Sequence, residues 1–293
     1  MTAAAVDNIA TPSGKHAGNE NFPVGSALIR ADLRPHVHAF YRFARMGDDI
    51  ADNPALEPED KVRRLTLMQD VLLDRGREDI PEGADLRRSL EATAVSPKHS
   101  CDLLTAFKMD ATKQRYADWG ELMTYCRYSA SPVGRYLLDL HGEDPAGWFA
   151  SDALCNALQV INHLQDVQVD FLEMDRIYAP LDHLSASGSE IGHLRGKVSS
   201  PGLRKTLDSL LDETDKLMVD ARQLPDVLKD FRLRAESATI VRLADRMIAS
   251  LRKRDPLAER VKPSKRDFLF SGLEGVGWAI LVGLRRKPSG AAA

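Results

Sequence analysis

Two short acidic stretches carry the residue types and spacing best suited to chemistry in this chain. One is Asp48-Asp49-Ile50-Ala51-Asp52 and the other is Asp166-Val167-Gln168-Val169-Asp170. Each places two aspartates four residues apart at the close of a run with helical periodicity, and positions i and i+4 share a face of an α-helix. Like charges at that spacing repel and weaken a helix unless a cation sits between them. Two such helices facing one another would form a carboxylate-lined mouth. Hard oxygen ligands of this kind suit Mg2+, which keeps several waters and bridges readily to substrate phosphates. These residues therefore predict a Mg2+-diphosphate site.

A single aspartate pair of this spacing is, as a rule, a solvated helix face. Here the flanking residues argue for more. Asp48 and Asp52 follow Val37, Phe40, Tyr41, Phe43 and Ala44, and Asp166 and Asp170 follow Leu154, Leu158, Val160, Ile161 and Leu164. Both pairs thus end largely apolar helices. Within the second, Gln159, Asn162, Asp166 and Asp170 recur at spacings of three, four and four, a polar stripe on an otherwise apolar segment. Buried polar groups need partners, and a metal with its ligand would supply them.

Phosphate recognition also needs cations and donors. Arg45, three residues before Asp48, shares the acidic face; it can pair with Asp48 or reach a phosphate. Arg176-Ile177-Tyr178-Ala179-Pro180 puts an Arg and a Tyr just past the second acidic pair, and alone reads as a helix-ending turn. In Tyr125–Gly134 the small residues Ser129, Ala130, Ser131 and Gly134 leave space and Tyr125 and Tyr128 supply polar-tipped rings. This segment fits either a cavity opened at a helix break or close helix packing. His36, His38 and His163 have no metal-ligand partners at useful spacing. Glu190-x-x-His193 is the only motif of its kind, which argues against a di-iron bundle needing two.

At 293 residues the chain has room for one large domain or two small ones, and its net charge of -3 argues against a nucleic-acid partner. Three distant cysteines point to a reducing, cytoplasmic setting and offer no zinc spacing. Residues 1–18 read as a disordered tail without the apolar core of a signal peptide, and 286–293 as a second tail. No run reaches the 18 or so uninterrupted apolar residues of a membrane span. Residues 19–285 read as helix throughout: helices are expected at about 32–53, 57–75, 84–95, 99–112, 118–141, 147–174, 200–223, 226–254 and 264–285. Gly76, Gly142 and Gly188 stand at expected stops, and Pro132 should kink or break the fifth helix. One all-α domain around a central cavity is the expected architecture. Phe268 to Leu284 is mostly apolar and flanked by Lys262, Lys265, Arg266, Arg285, Arg286 and Lys287. It reads either as a helix capping the core or as a peripheral anchor on the inner face of a membrane.

Taken together, Asn21-Phe22, Tyr41-x-x-x-Arg45-x-x-Asp48-x-x-x-Asp52, Tyr125–Gly134, Gln159-x-x-Asn162-x-x-x-Asp166-x-x-x-Asp170 and Arg176-x-Tyr178 resemble the squalene/phytoene synthase family, from about Glu20 to about Phe268. Glu20-Asn21-Phe22-Pro23-Val24 and His38–Arg45 resemble most the branch serving bacterial hopanoid synthesis. The resemblance implies an isoprenoid-synthase-type helical bundle that converts presqualene diphosphate and water to hydroxysqualene and diphosphate. Condensation of two farnesyl diphosphates to presqualene diphosphate, or to a squalene- or phytoene-type product, is the neighbouring alternative. A non-catalytic helical assembly protein is the third. Other enzymes of the pathway would be partners.

By the same resemblance, Asp48, Asp52, Asp166 and Asp170 would bind Mg2+, with Asp49 and Asn162 in support. Asn21, Arg45, Arg176, Tyr178 and Arg260 would contact diphosphate, with Tyr41 nearby. Phe22, Phe40, Tyr41, Tyr125 and Tyr128 would line the cavity with Gln159, their ring faces stabilising cationic character during catalysis. Two departures from the family pattern are a missing Tyr near Thr239-Ile240 and Ser131-Pro132 in place of a Gly-x pair.

Overall fold

Apolar residues at helical spacing decide which faces turn inward. In α1 (Arg34–Asp52), Val37, Phe40, Phe43, Met46 and Ile50 recur every three or four residues and all are buried. The same logic builds α2 (Pro58–Leu72), α3 (Pro81–Thr93) and α4 (Lys98–Thr112), which close with α1 around one core region. A second region is built by α5 (Trp119–Ser129), α7 (Trp148–Gln165), α8 (Val167–Met174), α9 (Leu181–Ala186), α10 (Pro201–Ala221), α11 (Leu224–Val227) and α12 (Phe231–Lys253). Between them runs α6 (Ser131–Leu140), whose Tyr136 and Leu140 enter the first region and whose Leu138 enters the second. The last helix, α13 (Lys265–Arg285), lies along α12. The computed structural model describes residues 29–285; the two expected tails, Asn21 and Phe22 lie outside them. Among the described residues there is no strand, only an isolated bridge between Arg115 and Ile177.

Glycine stops fall where expected, Gly76, Gly142 and Gly188 all having positive φ (75°, 67° and 64°). Pro132 divides the expected 118–141 helix, ending α5 at Ser129 and sitting in the first turn of α6, where its missing N–H is harmless. The expected 147–174 helix also proves to be two. It breaks at Asp166, whose φ of -104° and ψ of 11° leave the helical range. No proline or glycine marks that break. Glu190 and His193 cap the short 3-10 turn Ile191–Arg195, so that pair has a local structural task. By length and composition α13 is apolar enough to cross a membrane, because an average tolerates Glu274 where an uninterrupted run does not.

The small residues of α6 seat it directly on α7. A Cβ on Gly134 would stand 2.3 Å from Ser151 Oγ and 2.7 Å from Cys155 Sγ. Gly134→Val should therefore push α6 from α7 and cost about 1–3 kcal/mol, read as a lower urea midpoint with an unchanged m-value.

Candidate functional site

The last turns of α1 carry the first acidic motif, and Arg45 holds it together. Arg45 Nη1 lies 2.8 Å from Asp48 Oδ2, and Nη2 donates to Asp49 Oδ1. Burial works against the Arg45 charge; Asp48 and Asp49 outweigh it and hold the guanidinium pKa above its ordinary value. One cation thus relieves the repulsion that the bare acidic sequence implies.

The second motif straddles the break between α7 and α8. The Asp166 N–H still donates to Asn162 O (3.0 Å) and the Asp170 N–H to Asp166 O (2.8 Å), so helical hydrogen bonds close the chain on either side of the bend. Asp175 then takes a left-handed conformation (φ 52°), and the Arg176 N–H returns to Asp170 O at 3.1 Å. The Ile177 N–H donates to Gln114 O at 2.9 Å, which fastens the turn to the chain after α4. These bonds aim Arg176 across the molecule at the first motif. Its Nη1 lies 2.5 Å from Asp52 Oδ1 and its Nη2 donates to Ala51 O at 2.9 Å, with the side chain only 5% exposed. Lys61 Nζ reaches the same Ala51 carbonyl at 2.9 Å. Two cations therefore sit at the C-terminal end of α1, where the helix dipole favours them. The ends of the two acidic helices are joined through Arg176.

Behind Arg176 lies a buried group that the sequence motifs did not single out. Asp110 in α4 accepts from the Tyr125 hydroxyl on one oxygen and the Tyr178 hydroxyl on the other, both at 2.9 Å. Tyr116 packs against both rings at 5.4–5.6 Å, and His163 stacks on Tyr178 at 3.6 Å. His163 also lies 3.2 Å from Gln159 Nε2 and 3.9 Å from Asp170 Oδ2. Burial pushes the Asp110 carboxyl up to about 6, with Arg176 pulling the other way. Burial likewise works against the charge on Arg176, but Tyr178, Asp110 and Asp52 keep its pKa raised. The only sequence signal for Asp110 was an acid on a helix that otherwise supplies core residues.

An apolar cavity of about 360 Å³ opens between α1, α6, α7 and α12, within the ordinary range of ligand sites. Phe40, Tyr41, Gln159 and Asn162 line it, and Phe40 is held flat against Tyr136 at 4.0 Å. Ser129, Ala130 and Gly134 line it too, so the small-residue segment both packs closely and leaves space. Glu236 and Ser237, buried on α12, add polar groups that the sequence motifs had not indicated. Tyr125 and Tyr128 are not among the lining residues: the Tyr125 hydroxyl is taken by Asp110, and Tyr128 packs half-buried against the second core region. Arg260 is exposed, but its neighbour Val261 accepts from Gln165 Nε2 at 2.5 Å, which brings this loop beside Asp166.

The side-chain oxygens of Asp48, Asp49, Asp52, Asn162, Asp166 and Asp170 are hard donors of the type Mg2+ takes. Among the described residues no three His, Cys, Asp or Glu side chains form one metal cage. Arg176 Nε is buried without a hydrogen-bond partner, a donor left over beside Asp52.

Asp110 has a pH signature. Its native pKa lies above the unfolded value, so between 3.8 and about 6 the folded protein holds a proton that the unfolded chain has released. Stability therefore falls as pH rises through that window, by roughly 3 kcal/mol in all. Urea midpoints of the parent and of Asp110→Asn across this range should show the slope in the parent and its loss in the variant. Asp52→Ala removes the carboxylate that bonds buried Arg176, leaving it the Ala51 carbonyl and the charge of Asp110, and should cost up to about 3 kcal/mol, whereas Asp48→Ala leaves Arg45 paired with Asp49 and should unfold near the parental midpoint.

Comparison with known proteins follows the same lines. The squalene/phytoene synthase family model matches residues 15–267. A hydroxysqualene synthase of Sinorhizobium fredii is 48% identical over 254 residues, covering 87% of each chain. One of Rhodopseudomonas palustris is 47% identical over 259 residues and 88% of each chain. Among solved structures, squalene synthase HpnC from Alicyclobacillus acidocaldarius superposes with a TM-score of 0.71 at 29% identity, covering 78% of this chain and 87% of that one. A dehydrosqualene synthase shares the fold at a TM-score of 0.76 and 21% identity, covering 90% of this chain and 93% of its own. The chain belongs to the squalene/phytoene synthase family.

Proposed function

We propose that the protein converts presqualene diphosphate and water to hydroxysqualene and diphosphate, with Mg2+. One observation carries this reading. The apolar cavity is lined as far as Ala44 and Asn162, and Asp48 and Asp166 stand one helical turn beyond them. A hydrocarbon chain can thus lie in the cavity with its diphosphate at the acidic ends. The naming of relatives 42–48% identical as hydroxysqualene synthases supports the same choice.

Asp48, Asp52, Asp166 and Asp170, supported by Asp49 and Asn162, would hold Mg2+. Bound there, it supplies the positive charge that makes diphosphate a competent leaving group. Arg45 and Arg176 add fixed positive charge at the same end, where negative charge grows as the C–O bond breaks. Tyr178 stays in place through Asp110, and Arg260 would approach from its loop beside Asp166. Asn21 would complete the diphosphate contacts. The carbocation left behind needs a dry apolar wall until its rearrangement is complete, and Phe40 and Tyr41 supply ring faces toward it, with Phe22 as a further wall residue. Water is a sufficient nucleophile for such a cation. Glu236, Ser237 and Gln159 offer polar atoms in the cavity through which a water can be held. The substrate and product are lipids, and peripheral association with the cytoplasmic face of the membrane accords with them.

Purified protein with Mg2+ and presqualene diphosphate should yield an alcohol whose oxygen comes from labelled water, without dependence on NADPH. Accumulation of presqualene diphosphate from farnesyl diphosphate, with no alcohol from either substrate, would move the assignment to the condensing reaction. Release of diphosphate from neither would leave an assembly role. Asp48→Ala and Asp166→Ala should both abolish turnover while circular dichroism retains the helical signal. Near-parental rates in both at low Mg2+ would overturn the metal assignment.

A further inference from the structure

The inner side of α13 is tailored to the protein and its outer side is not. Ser271, Gly275, Ala279 and Val282 are its buried residues, a stripe turned toward α12. A Cβ on Gly275 would fall 2.2 Å from Thr239 Oγ1 and 2.6 Å from Thr239 N, so the two helices approach as closely as glycine allows. Arg246 Nε donates to Ser271 Oγ (3.1 Å), Arg246 Nη2 to Glu274 (2.7 Å) and Trp278 Nε1 to Asp226 (3.0 Å), which tether the inner side along its length. On the opposite side Leu269, Leu273, Val276, Ile280 and Leu284 recur at spacings of four, three, four and four, and are 36–63% exposed. A continuous apolar stripe of that length facing water marks a binding surface.

We propose that this outer face of α13 docks flat on an anionic lipid bilayer, beside the segment that lines the end of the apolar cavity. Charge selects the occupant. The acids of the helix are already held, Asp267 by Ser264 and Glu274 by Arg246. The two ends carry Lys265 and Arg266, and Arg285 followed in sequence by Arg286 and Lys287. Cations at both ends of an apolar face match an anionic interface, whereas a second copy of this chain would bring like charges together. The tethers to Asp226, Arg246 and Thr239 keep α13 on the body of the protein, so it lies along a bilayer surface rather than crossing it. Val227 at the end of α11 and Phe231 at the start of α12 are exposed apolar residues, and Trp278 bonded to Asp226 and Arg234 bonded to Ala279 O tie this segment to α13. From the same segment Leu224 and Leu233 line the cavity. A lipid substrate or product then has a short apolar path between cavity and membrane; this consequence rests on the proposed function, while the docking face does not.

The test uses full-length protein in flotation with phosphatidylcholine vesicles, with and without phosphatidylglycerol. The parent should float with the anionic vesicles and release with salt. Leu273→Ser/Ile280→Ser should bind about 100-fold more weakly, with detergent-dispersed presqualene diphosphate turned over at the parental rate. Leu269→Ser/Leu284→Ser repeats the measurement on an independent pair. Failure of the parent to float, or equal binding by both double variants, would overturn the proposal. So would a parental dimer that both pairs of substitutions convert to monomer with no vesicle binding in the parent, which would assign the face to a second copy. Loss of turnover in every protein with flotation intact counts against the functional reading and leaves the docking face standing.

Discussion

A buried guanidinium joins the two halves of this site. Arg176 arrives from the end of the second acidic helix and meets Asp52 and the Ala51 carbonyl at the end of the first. Two motifs separated by more than a hundred residues are thereby held at one place. Without that cation the Asp52 carboxylate would sit uncompensated near buried Asp110, and like charges at short range repel. A buried ion pair of this kind is poor evidence for added stability, since desolvation offsets most of the attraction. What it supplies is orientation. The turn from Asp170 through Asp175 to Ile177 would have many conformations in isolation; its backbone bonds to Asp170 O and Gln114 O leave one.

The tyrosine-lined pocket around Asp110 extends that constraint into the interior. A carboxylate there is costly, and its two oxygens are both committed to hydroxyls. Those hydroxyls fix Tyr125 and Tyr178, and the Tyr178 ring fixes His163, which stands between Gln159 and Asp170. Asp170 thus stands beside a layer of aromatic and polar side chains whose own positions are determined by packing. Such support is what keeps a charged constellation within the narrow geometry that catalysis needs.

The cavity follows from a different economy. Close approach of α6 to α7 at Gly134 forms one wall of the cavity, with Ser151 and Cys155, and α1 and α12 enclose the rest with mostly apolar residues. Electrostatics at its acidic end and dryness along its length are complementary. A leaving group must be stabilised where charge collects, and a carbocation must be kept from water where charge is dispersed.

The amino-acid pattern by itself determined the all-α class, most helix positions, the glycine stops, the division at Pro132 and the two acidic motifs with Arg45, because each rests on interactions within a few residues along one helix. The motifs also carried the resemblance to the squalene/phytoene synthase family, whose model matches residues 15–267. The break at Asp166 was invisible: no proline or glycine announces it, and the bend is stabilised by contacts of the Asp170–Ile177 turn with the chain after α4. Asp110 was invisible for a related reason, as its importance comes from Tyr125, Tyr178 and Arg176, partners brought together only by folding. Periodicity could suggest that Tyr125 and Tyr128 border a cavity, but it could not say whether their hydroxyls meet open space or another side chain. The tertiary structure also decided which side of α13 faces the protein, because that depends on Gly275 meeting Thr239 and not on the apolar content of the helix, which is high on both sides.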